Sequence, residues 1–412
     1  MMQPAPLPRP TQHRPAFASP LHAWQVLTAG ICALVLTVGL ARFAYTPILP
    51  LMKAQAGLDD AASGWLATLN YAGYMAGTLY AAVLHDARRR LLLYRLALIV
   101  AVLSTAAMGL TVNPWLWGAL RFLGGLTSVA GMLLGSGMVL AWLVEHGHRP
   151  ELGIHFAGMG LGLAISGVAA SWMAGSLDWS SQWLALGAFG LVLLLPAWIW
   201  MPAALHPRAA PTPAAPPLQP AVNGGRTIGD LLLPVAYFCA GVGYVVTATF
   251  LVAALAQRPD VGGSGNLVWI VAGLAATPSV WLWDRVARGT GQLGALQLAY
   301  LVQIASFVVL LFGPGLTGAL LGAILYGATF MGIVGLTLAY AGRQALANPA
   351  RAMARLTLSY GLGQTAAPAV AGWLVARTGG YQAPLILAGL TMAAGIVLLM
   401  LLARQPARRP HA

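Results

Sequence analysis

Gly39-Leu-Ala-Arg-Phe-Ala-Tyr-Thr-Pro-Ile-Leu-Pro50 closes an apolar run that opens at Trp24 and is long enough to cross a bilayer. Arg42 lies well inside that run. An arginine at membrane depth costs roughly 3 kcal/mol or more, so it persists only beside partners or water. The composition around it is uniform: of 412 residues, 59% are hydrophobic and 8% charged. A soluble protein carries about a quarter charged residues. So little polar surface, with apolar runs recurring along the whole length, reads as an all-α polytopic membrane protein.

Twelve such stretches are predicted as transmembrane helices, at 23–47, 63–84, 91–110, 115–143, 153–175, 182–201, 231–256, 266–286, 292–312, 315–341, 356–376 and 382–403. With an even number, both termini share a side. Apart from Arg42 and Arg121, the basic residues fall seventeen on that side and three (Lys53, Arg258, Arg377) on the other. The positive-inside rule makes the crowded side, and both termini, cytoplasmic. A net charge of +13 spread over short loops between apolar runs does not describe a nucleic-acid surface. Cys32 and Cys239 sit in mid-stretch and read as packing residues, not as a disulfide or metal site.

Residues 1–21 are Pro-rich and polar and read as a disordered cytoplasmic tail, not as a secretory signal. Residues 22–201 form a six-helix half. Residues 202–229, with seven prolines between Pro202 and Pro220, read as a semi-extended cytoplasmic linker. Residues 230–403 form a second six-helix half, and 404–412 a basic tail. The halves look alike: His85-Asp86 with Arg88–Arg90 follows the second stretch, and Trp283-Asp284-Arg285 with Arg288 follows the eighth. An offset near 200 residues is a repeat at the scale of a half.

This 6+6 organisation, with acidic–basic loops after stretches two and eight, resembles the major facilitator superfamily. Asp86 with Arg88, Arg89 and Arg90 matches the charged part of its loop motif, though the motif's glycines are missing; Asp284, Arg285 and Arg288 keep the Asp-Arg core. Leu120-Arg-Phe-Leu-Gly-Gly125 looks like the superfamily's Arg-x-x-x-Gly motif, with Arg121 in the arginine's place. The fifth stretch is glycine-rich but lacks the Gly-Pro pair of drug/proton antiporters. More narrowly, Gly39–Met52 followed by Gly64-Trp-Leu-Ala-Thr-Leu-Asn-Tyr-Ala-Gly-Tyr74 is similar to the YbfB/YjiJ group. The resemblance implies the major facilitator fold and a monomeric secondary transporter of the bacterial inner membrane, with no agreed substrate.

Arg42 and Arg121 both fall in the outer halves of their stretches, on helices that line the central cavity in that architecture. Two fixed positive charges at one depth fit an anionic cargo; the plainer alternative is that each caps backbone carbonyls or pins helices together. Candidate cargo contacts are Arg42, Tyr45, Asn70, Tyr74 and Arg121 in the first half, and Tyr244, Tyr326 and Gln364 in the second. Tyr71, Thr247 and Tyr360 are further polar side chains of the same stretches. Tyr244 and Tyr326 fall where Arg42 and Arg121 sit in the first half. All nine acidic residues lie in loops or at stretch ends, so the usual intramembrane proton relay is absent. His155 is the titratable group left for coupling, against the reading of a hydrogen-bonded histidine at the interface. Asp86, Arg88 and Arg89, with Asp284, Arg285 and Arg288, are candidates for a charge latch, against ordinary surface pairing. No metal spacing, cofactor motif or hydrolase signature is present, which argues against an enzyme. The predicted partners are a small-molecule substrate and the lipid bilayer, with no nucleic acid. A carrier of organic anions or amphipathic compounds is expected; an efflux carrier without anion preference and a non-transporting membrane sensor are the alternatives.

Overall fold

The computed structural model describes residues 21–84, 86–149, 152–202, 229–261, 263–344 and 349–405. Most of the expected tails, 1–21 and 404–412, and most of the expected linker, 202–229, lie outside the described residues. The described chain is helical throughout. In order, the helices are α1 Ala23–Ala56, α2 Asp60–Ala82, α3 Ala87–Leu110, α4 Pro114–Glu145, α5 Gly153–Met173, α6 Trp179–Ile199, α7 Gly229–Ala256, α8 Gly265–Ala276, α9 Ser279–Phe312, α10 Gly315–Gln344, α11 Pro349–Thr378 and α12 Gln382–Ala403. Among the described residues, nine helices are long and apolar enough to cross a membrane. Of the other three, α8 has 12 residues, and α2 and α11 are the polar pair that pack on each other.

The short loops supply the caps that exposed helix starts require. Asp59 accepts from Ala62 N, Asp86 from Arg88 N, Asn113 from Trp115 N and Asp178 from Ser181 N. Four polar loop residues thus have a structural role before any functional one. Gly57, at φ 68°, closes α1 in the left-handed conformation.

One expectation about helix ends is corrected and one is met. The first stretch does not stop at residue 47 but runs on to Ala56, because the donor that Pro47 lacks is replaced by a side chain from another helix. The eighth is kinked at Pro278, as a proline in mid-stretch predicts. The chain breaks at Thr277-Pro278, α9 begins at Ser279, and its helical conformation is interrupted at Gly291 (φ 75°, ψ 162°). The expected stretches 266–286 and 292–312 are therefore α8 plus the start of α9, and the remainder of α9.

Within the first half α2 packs on α4, α3 on α6, and α1 on α5 and α6; within the second, α9 packs on α10, α8 on α10, and α7 on α11 and α12. The halves meet along α2–α11, α5–α8 and α1–α7. These contacts run from the end opposite the chain termini (the far end) inward to Met75 against Gly361 and Gly160 against Gly273 and Thr277. Toward the terminal end, Gly335 on α10 faces open space.

Candidate functional site

The site is built on an irregular piece of α1. Val35–Phe43 is wound as a π-helix and is buried throughout, a conformation that collects at functional positions. Gly39 lies against Gly162 of α5, and a Cβ on Gly39 would sit 2.6 Å from the Gly162 Cα. In a π-turn, the donor to the Arg42 carbonyl would be residue 47, which is proline and has no N–H. Arg121 of α4 supplies the missing donor: its Nη1 lies 3.2 Å from the carbonyls of both Ala41 and Arg42. Its guanidinium stacks on the Tyr45 ring at 4.5 Å. The Arg121 carbonyl accepts from Asn70 Nδ2 at 2.8 Å, and Tyr45 donates to Ser63 O at 3.0 Å. Arg121, Asn70 and Tyr45 thus tie α1, α2 and α4 into one unit.

The Arg42 side chain leaves α1 in the other direction, into the seam between the halves. Its guanidinium lies over the rings of Tyr71 and Tyr74, 4.2 and 4.8 Å from their centroids. Nη2 donates to Gln364 Oε1 of α11 at 3.3 Å. Arg42 is 6% exposed, and its Nε is buried without a partner. Among the described residues, the ion pairs are Lys53–Asp60, Asp86–Arg89 and Arg258–Asp260, so Arg42 has no carboxylate. Desolvated cation–π contacts contribute about 2 kcal/mol each, which offsets only part of burying a charge.

Opposite Arg42, the second half presents aromatic rings. Tyr244 meets Tyr71 edge-on at 6.4 Å and stacks on Phe330 at 5.2 Å and Tyr360 at 6.1 Å. Tyr326 stacks on Phe330 at 5.3 Å, and its hydroxyl donates to the Tyr244 carbonyl at 3.1 Å. That last bond repeats the first half: α10 caps a carbonyl of α7 as α4 caps carbonyls of α1. The eight candidate contact residues therefore fall around one seam, with Arg42, Tyr74, Tyr244 and Gln364 toward it and Arg121, Asn70, Tyr45 and Tyr326 behind it.

The other candidates lie elsewhere. His155 is fully buried inside the first half, with Nε2 2.8 Å from Ser136 Oγ of α4 and its ring against Gly30 of α1. Asp86 pairs only with Arg89, at 3.7 Å on one exposed helix end, while Arg88 uses its backbone N–H on the same carboxylate. Asp284, Arg285 and Arg288 are exposed and form no ion pair among the described residues. Neither cluster joins the halves in this structure.

The halves are joined at the far end instead, where a neutral hydroxyl of one meets an ion pair of the other. Lys53 Nζ pairs with Asp60 Oδ1 and lies 3.1 Å from the hydroxyl of Tyr381, which lies 3.1 Å from the same carboxylate oxygen. Lys53 and Asp60 belong to the first half and Tyr381 to the second. Nearby, Thr46 Oγ1 donates to Ala248 O, Trp269 Nε1 to Ser166 Oγ, and Ala369 N to Thr68 Oγ1, each across the seam. Sequence reasoning missed this latch. The available signal was Lys53, the sole lysine of an arginine-rich chain, seven residues from Asp60 on the arginine-poor side.

Residues 34–400 match the family described as uncharacterised MFS-type transporter YbfB. Among curated proteins, an uncharacterized MFS-type transporter, YceJ of Bacillus subtilis (strain 168), is 25% identical over 293 residues, covering 65% of this chain and 70% of that protein. The fold is similar to that of the nucleoside transporter NupG, with a TM-score of 0.70 at 15% identity over 93% of this chain and all of that one. It is also similar to a bacterial homologue of the human lysosomal transporter Spinster in an inward-facing, occupied conformation, with a TM-score of 0.67 at 15% identity over 96% of this chain and 100% of that one. At these identities the solved structures speak for the fold alone. With a match over most of its length, the chain belongs to the YbfB family of MFS-type transporters: a multi-pass membrane protein of a transporter family, and not an enzyme.

Proposed function

We propose that this protein is a monomeric secondary carrier of the bacterial inner membrane that moves a small organic anion with an aromatic or apolar body by alternating access. Its twelve helices cross as six plus six with both termini cytoplasmic, a reading supported by the seventeen-to-three split of basic residues. The observation that carries the cargo class is Arg42: a guanidinium buried in the seam between halves, held by rings and an amide, with no carboxylate to neutralise it. A carboxylate or phosphate on the cargo is the partner such a group lacks. Tyr71, Tyr74 and Tyr244 would hold the cargo's body, and Arg121 would fix the position of α1 without touching cargo. Asp86, Arg88 and Arg89, with Asp284, Arg285 and Arg288, would close the terminal end when the far end opens. His155 is the coupling candidate.

The test is a thermal-shift comparison on purified protein of benzoate, phenylacetate and indole-3-acetate against their neutral amides. A ligand at about 100 times its Kd adds ~2.7 kcal/mol to the folded state. The acids should raise the melting temperature and the amides should not. Arg42→Gln should weaken acid binding roughly 10- to 100-fold, as expected for a lost charge-assisted hydrogen bond of about 1.5–3 kcal/mol. Equal binding of acids and amides would instead support a carrier without anion preference, which the second half's aromatic wall would accommodate.

A further inference from the structure

On the outside of the first half, α3 and α6 pack side by side, and Arg95 lies between them, two turns into α3. Its guanidinium rests on the face of the Trp198 ring, 4.9 Å from the centroid. The surroundings are apolar and face outward. Leu92 and Ile99, three residues before and four after Arg95 on the same side of α3, are exposed, as are Leu191 and Leu195 on the Trp198 side of α6. In a multi-pass membrane protein such a surface faces lipid.

The charge in this surface has no partner from the chain. Neither α3 nor α6 contains an Asp or Glu. The nearest acid in sequence, Asp86, is held by Arg89 and by the Arg88 N–H. Of the Arg95 side-chain nitrogens only Nε is buried; Nη1 and Nη2 reach the surface of the groove, with no hydrogen bond or ion pair among the described residues. A guanidinium stacked by its face keeps these edge N–H groups free for bidentate pairing with a phosphate. Its depth is also set: Trp198 closes α6 two residues before Trp200, which meets Trp24 of α1 edge-on at 5.4 Å. Tryptophans collect where hydrocarbon gives way to head groups, so Arg95 stands at that boundary on the terminal end.

From this placement we infer that the α3–α6 groove binds an anionic phospholipid. Its phosphate accepts from Nη1 and Nη2 of Arg95, and its acyl chains run inward along Ile99, Leu195 and Leu191. Arg88 stands on the same side of α3, seven residues and about 10 Å toward the terminal end. It is exposed and its side chain is unpaired, so it meets the head group with positive charge and disfavours an ammonium there. Basic pockets between helices hold anionic head groups in this way. The site lies outside the seam and stands whatever the charge of the cargo.

The test places p-benzoylphenylalanine at the exposed Leu195 of the full-length protein, in nanodiscs of equal parts phosphatidylglycerol and phosphatidylethanolamine with identical chains. After irradiation, lipid adducts are counted by mass spectrometry. Phosphatidylglycerol should be captured about fivefold in excess, the worth of one arginine at the membrane surface. Arg95→Gln should bring the ratio close to one. Leu92→Glu, at an exposed position one turn before Arg95, supplies the guanidinium with a carboxylate from its own helix. It should have the same effect, and it keeps the test valid if Arg95→Gln fails to fold. Arg404→Gln removes an exposed charge at the same end of the bundle and should leave the ratio unchanged, as should inorganic phosphate in place of chloride at equal ionic strength. Equal capture of the two lipids by the unmodified groove would overturn the site. So would an excess that survives both Arg95→Gln and Leu92→Glu, one that falls as far in Arg404→Gln, or one that inorganic phosphate abolishes.

Discussion

Tyr381→Phe removes one oxygen from the far-end latch and leaves everything else in place. The hydroxyl lies 3.1 Å from Lys53 Nζ and 3.1 Å from Asp60 Oδ1, so the change deletes the polar link from the second half to an ion pair contained in the first. The Lys53–Asp60 pair survives, as does the contact of Lys53 with the ring. Hydrogen bonds to charged groups are worth about 1.5–3 kcal/mol each when dry. The Lys53 and Asp60 side chains are 23% and 26% exposed, so water recovers much of that, and a net loss of ~1–1.4 kcal/mol is the working figure. The far-end-open population should then rise roughly 5- to 10-fold. The readout is built in, because Lys53 is the only lysine of the chain. Its acylation by an amine-reactive ester in nanodiscs, quantified on the Lys53 peptide, tracks the open fraction when opening is rare. A purely local gain in Lys53 exposure is excluded by a second reporter. The Ala369 N–H, bonded to Thr68 Oγ1 across the seam at 3.0 Å, exchanges with deuterium only if the halves part. Both rates should rise together, and Tyr80→Phe, a change at an exposed tyrosine, should move neither. An unchanged Lys53 rate, or a faster Lys53 with an unchanged Ala369, would refute the latch.

Two further outcomes follow from the geometry of the site. Arg121→Leu leaves the Ala41 and Arg42 carbonyls without their donor, at about 1–3 kcal/mol each, so it should lower the melting temperature of ligand-free protein more than Arg42→Leu does; the reverse order in one detergent would overturn the division of labour between the two arginines. Gly125→Ala places a Cβ on the carbonyl of Asn70, and overpacking of this kind costs roughly 1–3 kcal/mol. Its thermal unfolding should shift down measurably, while Gly137→Ala, whose Cβ meets open space, should not.

How much of this was legible in the sequence depends on distance along the chain. All twelve expected stretches are helical because apolar runs bounded by Asp, Asn and Gly are a local property, and the caps at Asp59, Asp86, Asn113 and Asp178 lie at the run boundaries. The kink at Pro278 was legible because proline lacks the helical N–H. The π-wound segment of α1 was not, because it depends on what packs alongside: Gly162 of α5 and Arg121 of α4. The latch was invisible because Tyr381 lies 328 residues from Lys53. Arg42 and Arg121 looked equivalent because sequence gives the depth of a side chain but not the direction in which its helix turns it.

The internal repeat sharpens that last distinction. Tyr326 on α10 does for the Tyr244 carbonyl what Arg121 on α4 does for the carbonyls of Ala41 and Arg42. A neutral hydroxyl suffices for the task in one half, so capping α1 does not by itself require a charge in the other. The result is a seam with the Arg42 guanidinium on one side and the rings of Tyr244, Phe330 and Tyr360 on the other. In a bundle without a deep carboxylate, such a seam would orient an aromatic acid one way round, its carboxylate toward α1 and its ring toward α7 and α10. On the reading proposed above, Arg42 in one half and Tyr244 in the other would give the site that polarity.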